Sequence, residues 1–550
     1  MARSRLLRYF SSALRDYRAS LPGALAGLDA SRSVLSRRQF MGTCLGASAL
    51  AFASGTVAGC GKGRASTGKA GPSVAIVGGG IAGLHCAYRL RKLGIEATVY
   101  DAASRLGGRI LSDRATFPGM HCELGGELID TGHETMRGLA QELGIELLDY
   151  QADIKGLDEI TGFIAGRKLS RAELVDGFTP IAAAIDAALA TLGDADAGVS
   201  HRQPNGGEAL DRLSLSAWLD SIGAAGPVRQ LLEVAYTIEF GLDPAECNVL
   251  NMLLMISTAA EKLALFGDSD ERFHAAQGND RYISGLAAGL DGGRITLGHR
   301  LERLGSTADG RSSLSFAHDA GAREVVADHV VLALPFSLLR GVALTVELPA
   351  IKRRAIAEQG YGSNTKLMCG FTGRRWRDQG SDGQVFTDLP FQNTWDTSRL
   401  QPGVAGIITN FTGGAHARAL ALGDAAGHAA AFIDGFEQVF PGVKADATGK
   451  AVRMAWSEQP WVKGSYSSYL VGQYTAFAGT EGERVGNLHF CGEHTCLDAQ
   501  GYMEGGALSG AWVADEIAQD LGLKKAAVRG GRRDRRLAQA RFARSAAAVG

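Results

Sequence analysis

The chain has 550 residues, more than one hydrophobic core organises and enough for roughly two or three domains. Apolar residues make up 45% and charged residues 21%, which excludes a disordered chain, and a formal net charge of −1 provides no general basic field for nucleic acid. The 74 glycines follow no Gly-X-Y period, which excludes a collagen-like chain and leaves them as markers of turns and close backbone approaches.

In chain order, Ser36-Arg37-Arg38-Gln39-Phe40-Met41 precedes a mildly apolar stretch, 41–57, rich in Ala, Gly and Ser. That stretch is too weak for a membrane span, which takes about 20 strongly apolar residues. It resembles a twin-arginine export signal, a route for proteins that fold around a cofactor before crossing a membrane. Val57-Ala58-Gly59-Cys60 resembles a lipoprotein cleavage site, with Cys60 as the acylated N-terminus. The expected boundaries are a signal over 1–60 and a flexible linker over 61–72, giving a periplasmic or cell-surface protein tethered at Cys60. Cys86, Cys122, Cys247, Cys369, Cys491 and Cys496 form no CxxC pair and no zinc-type Cys/His spacing, so no metal is expected.

Val74-Ala75-Ile76-Val77 reads as a buried parallel strand, 81–93 as a helix ending at Gly94, and 96–100 as the next strand. Between the first strand and the helix, Gly78-Gly79-Gly80-Ile81-Ala82-Gly83 supplies G-x-G-x-x-G. Gly78 permits the tight turn, Gly80 lets backbone approach a pyrophosphate, and Gly83 lets helix and strand pack closely. The helix N-terminus offers N–H groups to phosphate, and Asp101 stands where an acid binds adenosine ribose hydroxyls. The pattern over 136–273 is mostly helical. Strand-like runs return at 294–297, 313–316 and 330–334, a helix at 350–359, a strand at 365–371, a short strand at 489–491 and a helix at 504–521. The stretch 524–550 reads as a basic tail.

Four further motifs select the cofactor. They are Arg105-Leu106-Gly107-Gly108-Arg109, Cys122-Glu123-Leu124-Gly125-Gly126-Glu127, His489-Phe490-Cys491-Gly492-Glu493 and Gly501-Tyr502-Met503-Glu504-Gly505-Gly506. In order and spacing they resemble the flavin amine oxidase family. The resemblance implies FAD, with Gly125 and Gly126 running beside the flavin, Arg109 adding charge near the diphosphate, Glu493 on ribityl hydroxyls, and the N–H near Met503 facing the pyrimidine carbonyl. It implies that Lys366, in Tyr361-Gly362-Ser363-Asn364-Thr365-Lys366, holds a water at flavin N5. It also implies that Tyr466 and Tyr502 form an aromatic slot for the amine. Ser465 stands where covalent monoamine oxidases carry Cys, so the flavin is expected to be noncovalent. Where family L-amino-acid oxidases often place an Arg after the glycine pair, this chain has Glu127, a candidate partner for a cationic substrate group.

The fold expected is α/β: an FAD-binding Rossmann-like domain over 73–135, 278–345 and 480–523, interleaved with a substrate domain over 136–277 and 346–479 that combines a mixed sheet and a helical lobe. The activity implied by the resemblance is hydride transfer from the amine-bearing carbon to N5, imine hydrolysis to a carbonyl, and reoxidation by O2 giving H2O2. An L-amino-acid oxidase, or a flavin dehydrogenase or desaturase using another acceptor, is the alternative. The partners expected are a small amine or amino acid and O2. No nucleic acid is expected, the membrane is contacted only through the lipid anchor, and homodimerisation is left open. Replacing Arg37 and Arg38 by Lys is expected to leave uncleaved precursor in the cytoplasm, and Cys60→Ala to move mature protein from the membrane to the soluble fraction. Unchanged export and membrane association would contradict the signal assignment.

Overall fold

The computed structural model describes residues 72–157, 161–194, 197–255, 269–290 and 292–523. The export signal, Cys60, nearly all of the 61–72 linker and the tail 524–550 lie outside the described residues.

Val74–Val77 is buried at all four positions, as a central strand of a sheet covered on both faces must be. It pairs in parallel with Ala97–Tyr100 on one side and His329–Leu332 on the other, in register Val74↔Ala97 and Val74↔His329. Ile295–Thr296 and Leu488–Phe490 extend the sheet at its two edges, again in parallel. Its five strands therefore come from three stretches far apart in the chain. The α/β architecture expected from the sequence is present.

Helices Ile81–Lys92, Asp280–Ala288 and Met503–Asp520 cover one face of this sheet, with Leu84, Leu90, Leu286, Val513 and Ile517 in their shared core. The strands Arg300–Ser306, Ser312–His318 and Gly321–Ala327 form an antiparallel meander that helps to cover the other face. Two of the face helices touch backbone to backbone. A Cβ on Gly510 would stand 2.2 Å from the carbonyl oxygen of Ala82, and one on Gly506 would stand 2.8 Å from Ile81 Cγ2. Glycine there is a packing requirement, because a side chain would push the C-terminal helix off the first one.

The second layer is a mixed sheet of seven strands. Its order is Ala447–Ala455, Asn364–Phe371, Gly406–Gly413, Asn393–Asp396, Val385–Thr387, Thr161–Ile164 and Arg167–Lys168. Asn364–Phe371 is paired on both sides and buried along its whole length. Helices Arg171–Leu189, Leu215–Ser221, Gly226–Phe240 and Val249–Leu253 build a lobe whose core takes in Phe386, Trp395 and Phe411 from the sheet. The first of these helices starts at a capping box, Ser170 with Glu173. The stretch 136–273 is thus less helical than its pattern predicts: Leu147–Asp149 pairs with Phe273–Ala275, and Thr161–Ile164 joins the large sheet. These strands are three or four residues long, too short for periodicity to reveal, and are fixed by partners distant in sequence.

Gly510→Ala is expected to cost about 1–3 kcal/mol, the range for overpacking, and to weaken cofactor retention because it separates the two helix starts that face the site. Thermal melting and flavin absorbance after gel filtration check this. Parent-like values in both would show that the helices can part without consequence.

Candidate active site

The site is built at the C-terminal ends of the parallel strands, where doubly wound sheets bind ligands. Gly78 has φ +112°, and a Cβ there would meet Ala333 O at 2.5 Å; a Cβ on Gly83 would meet Gly78 O at 2.0 Å. A Cβ on Gly80 would meet nothing within 4 Å. Gly78 and Gly83 are therefore glycines for the chain's own sake, while Gly80 leaves an open approach to the helix start. Helix Ile81–Lys92 begins there with no side-chain cap and no acid in its first turn, so its end keeps its attraction for an anion. Asp101 accepts the Gly79 N–H at 2.6 Å and the Ala103 N–H at 2.8 Å. Burial raises its pKa, and these two N–H groups with Arg105 partly offset the rise. The acid read as a ribose ligand thus braces the glycine turn.

Arg109 Nη1 donates to Glu493 Oε1 at 2.8 Å and to Ser465 O at 2.9 Å. Glu493 also accepts from Ser467 N at 3.1 Å, Ser467 Oγ at 2.8 Å and Gly501 N at 3.0 Å. Burial alone would raise its carboxyl; Arg109, His494 and Ser467 override that and hold it below the ordinary range. The residues expected at the diphosphate and at the ribityl chain meet each other here, and Glu493 ties three loops together.

The glycine pair is enclosed. A Cβ on Gly125 would lie 1.9 Å from Arg109 O, and one on Gly126 would lie 2.7 Å from Met503 Cγ and Sδ. Met503 opens the C-terminal helix, whose N-cap Tyr502 provides no side-chain cap. Glu504 in its first turn instead accepts from Thr135 N at 3.0 Å and Met136 N at 2.8 Å. A cavity opens against this pair, bordered also by Arg109, Lys366, Trp456, Ser465 and Tyr466.

Lys366 projects from the interior strand Asn364–Phe371 of the large sheet and is 2% exposed. Its Nζ donates to Glu123 O at 3.0 Å, Gly125 O at 2.9 Å and Glu127 Oε2 at 2.6 Å. An ammonium has three N–H groups, and all three are taken by protein, which leaves none for the water that the resemblance implies. Glu127 Oε1 accepts from Trp395 Nε1 at 2.9 Å and Thr397 Oγ1 at 2.8 Å. Burial would raise this carboxyl, and the Lys366 ammonium holds it below the usual range. Glu127, read as a partner for a substrate cation, already has a resident cation and both oxygens filled.

Tyr466 is 2% exposed, donates its hydroxyl to Ile238 O at 2.9 Å and borders the cavity. Tyr502 is half-buried and stands edge-on to His133, ring centroids 5.0 Å apart. Ser465 Oγ donates to Asn364 Oδ1 at 2.6 Å. A hydroxyl forms no thioether, so the flavin is held noncovalently. Sequence reasoning missed Trp395, Thr397 and Asn279, whose Nδ2 donates to Gly126 O at 3.0 Å and Glu127 O at 2.7 Å. None lies in a local motif; each arrives from a distant segment. It also missed that His121, Glu123 and His274 bring donor atoms within 4.8 Å of one another. The Glu123 carboxylate there is occupied by Ser112 Oγ at 2.8 Å and the Asn279 N–H at 3.0 Å.

Two uncapped helix starts, a glycine turn open at Gly80 and a backbone channel at Gly125 and Gly126 fit an elongated dinucleotide with a flat ring system, and together define an FAD-dependent oxidoreductase. The model of the flavin containing amine oxidoreductase family matches residues 81–518. The chain belongs to that family and is an FAD-dependent amine oxidase. A Mycobacterium tuberculosis protein named as a flavin-containing monoamine oxidase is 24% identical over 466 residues, covering 81% of this chain and 96% of the relative. An L-amino-acid oxidase of Siganus canaliculatus is 25% identical over 468 residues, covering 81% and 85%. Among solved structures, cyclohexylamine oxidase from Brevibacterium oxydans superposes with a TM-score of 0.73 at 23% identity, over 82% of this chain and 99% of that one.

Removing one member of a buried ion pair strands the other charge, at about 3–5 kcal/mol, whereas removing both costs much less. Glu127→Gln and Lys366→Met are each expected to lower the melting temperature of the apoprotein by that equivalent, and the double variant to recover most of the loss. Additive losses in chemical denaturation would show that the two side chains are not coupled.

Proposed function

We propose that this protein oxidises small amines in their neutral form and passes the electrons to O2, releasing H2O2. The observation that carries this reading is the charge balance of the cavity wall. Arg109 is matched by Glu493 and Lys366 by Glu127, so the ionised side chains bordering the cavity each have a partner. A protonated amine entering there would bring an unmatched charge into a low-dielectric space, and a neutral amine brings none. Tyr466 and Trp456 supply an apolar, electron-rich wall that orients the amine-bearing carbon. Bound FAD supplies the two-electron acceptor. The resulting imine hydrolyses in water to a carbonyl and ammonia, or to a shorter amine. Arg37-Arg38 and Val57-Ala58-Gly59-Cys60 support an exported protein anchored through Cys60.

The test is peroxide release by purified holoenzyme across a panel of primary and secondary amines. With a substrate whose pKa is near 10, the neutral fraction rises tenfold per pH unit, so kcat/KM is expected to climb from about pH 6 to 9. A flat or falling profile for every active amine would overturn the neutral-amine reading. Flavin reduced by amines without peroxide would replace O2 by another acceptor.

A further inference from the structure

The five-stranded sheet brings two histidines together. His329 opens the strand His329–Leu332, opposite Val74 and so at the end away from the glycine turn, and His489 is the middle residue of the edge strand Leu488–Phe490. In their parallel register His489 stands beside Val331, two positions along from His329, so both rings leave the same face of the sheet. That face is the one the C-terminal helix covers, and Glu516 and Asp520 lie one turn apart on that helix. His329 Nδ1 faces His489 Nε2 at 3.3 Å, and one ligand atom from each of His329, His489 and Asp520 lies within 4.8 Å of the others.

The protonation of this cluster is set by its neighbours. His489 is buried, and its Nδ1 donates to Glu516 Oε2 at 3.1 Å. A carboxylate only accepts, so the His489 proton sits on Nδ1 and the Nε2 lone pair is left facing His329. Carboxylates orient and polarise metal-bound imidazoles in the same way. Burial and the neighbouring His489 lower the His329 pKa, so that ring is neutral at pH 7. Asp520 accepts from Arg484 Nη1 at 2.9 Å through Oδ1 and 2.7 Å through Oδ2. One donor shared between two oxygens leaves each of them a lone pair. Around the rings stand the carboxylates of Glu516, Asp520 and Asp328 and the guanidinium of Arg484, an excess of negative charge that a dication reduces.

The separation of the two ring nitrogens selects the coordination. With Zn–N bonds of about 2.0–2.1 Å, adjacent ligands of a tetrahedral ion stand about 3.3–3.4 Å apart. An octahedral ion at the same bond length would draw them to about 2.8–3.0 Å. We propose that His329, His489 and Asp520 bind one zinc-class divalent ion, with water as the fourth ligand and Glu516 as the positioning carboxylate. The ion replaces the proton that lies between the two ring nitrogens, and His329 then carries its remaining proton on Nε2. Bound there, it staples the last turn of the C-terminal helix to two strands of the sheet. The helix start, at Met503, lies at the cofactor end, so the ion secures the same helix from its far end. The two histidines are 160 residues apart, which is why no zinc-type spacing announces the site in the sequence.

The test uses the full-length holoenzyme, stripped with a chelator and then given zinc alone. One equivalent should bind in competition with a chromophoric chelator and should raise the melting temperature, and magnesium at equal concentration should do neither. Zinc-edge X-ray absorption should show two imidazole nitrogens at about 2.0–2.1 Å within a four-coordinate shell. Glu516→Gln should weaken binding by about 10–100-fold, the scale of a lost outer partner, and His329→Asn should weaken it further. Both variants should keep their flavin, since neither residue borders the cofactor region. Asp520→Asn, at the exposed end of the helix, repeats the measurement where packing is not at stake, and it decides alone if His329→Asn loses flavin. Unchanged zinc affinity in Asp520→Asn, or in a flavin-retaining His329→Asn, would place the ion elsewhere and overturn the site. A parent that binds no equivalent of zinc, or binds it in an all-oxygen shell, would overturn it as well.

Discussion

One ion pair, Lys366 with Glu127, joins the two halves of this protein at the place where they must meet. Lys366 belongs to an interior strand of the seven-stranded sheet, and its other two acceptors are the backbone oxygens of Glu123 and Gly125, beside the cavity that opens at the glycine pair. Glu127 reaches back through Trp395 and Thr397 to a second strand of that sheet and the turn following it. The backbone at Gly125 and Gly126 is therefore fixed from both sides, without a side chain of its own to hold it. Burying two charges is costly, and the cost is tolerable here because every proton and lone pair that matters has a partner. Such a pair contributes position more than stability, and position is what an amine approaching a flat cofactor requires.

The second constraint is the closeness of two helices. Gly506 and Gly510 let the C-terminal helix lie on the first one with backbone almost in contact, so two uncapped helix starts point into one region. The strand ends Val77, Tyr100, Leu332 and Phe490 line up beneath them through the parallel register of the sheet. A fold assembled from three separated stretches thereby gathers its positive dipole ends where an anionic dinucleotide needs them.

What the sequence revealed was what is local. Gly78, Gly80 and Gly83 could be read because their spacing forms one short motif between a strand and a helix, and Ser465 because one atom decides whether a thioether can form. The charge partners were hidden. Nothing near Glu127 in the chain announces Lys366, 239 residues away, and the family pattern suggested a water for Lys366 where three protein acceptors stand. Asp101 and Glu493 were recognised as important acids, yet their carboxylates face protein N–H groups and Arg109. The strands Thr161–Ile164 and Asn393–Asp396 escaped because four residues carry too little periodicity, and the sheet partners that define them lie far off.

The central claim is that flavin held in this channel takes electrons directly from an amine. Anaerobic titration of the purified holoenzyme with a primary amine tests it most directly. The account predicts loss of the visible flavin band in proportion to added amine, ending at one amine oxidised per flavin, with no change on adding reduced nicotinamide. A band that persists under every amine but bleaches with reduced nicotinamide would contradict it.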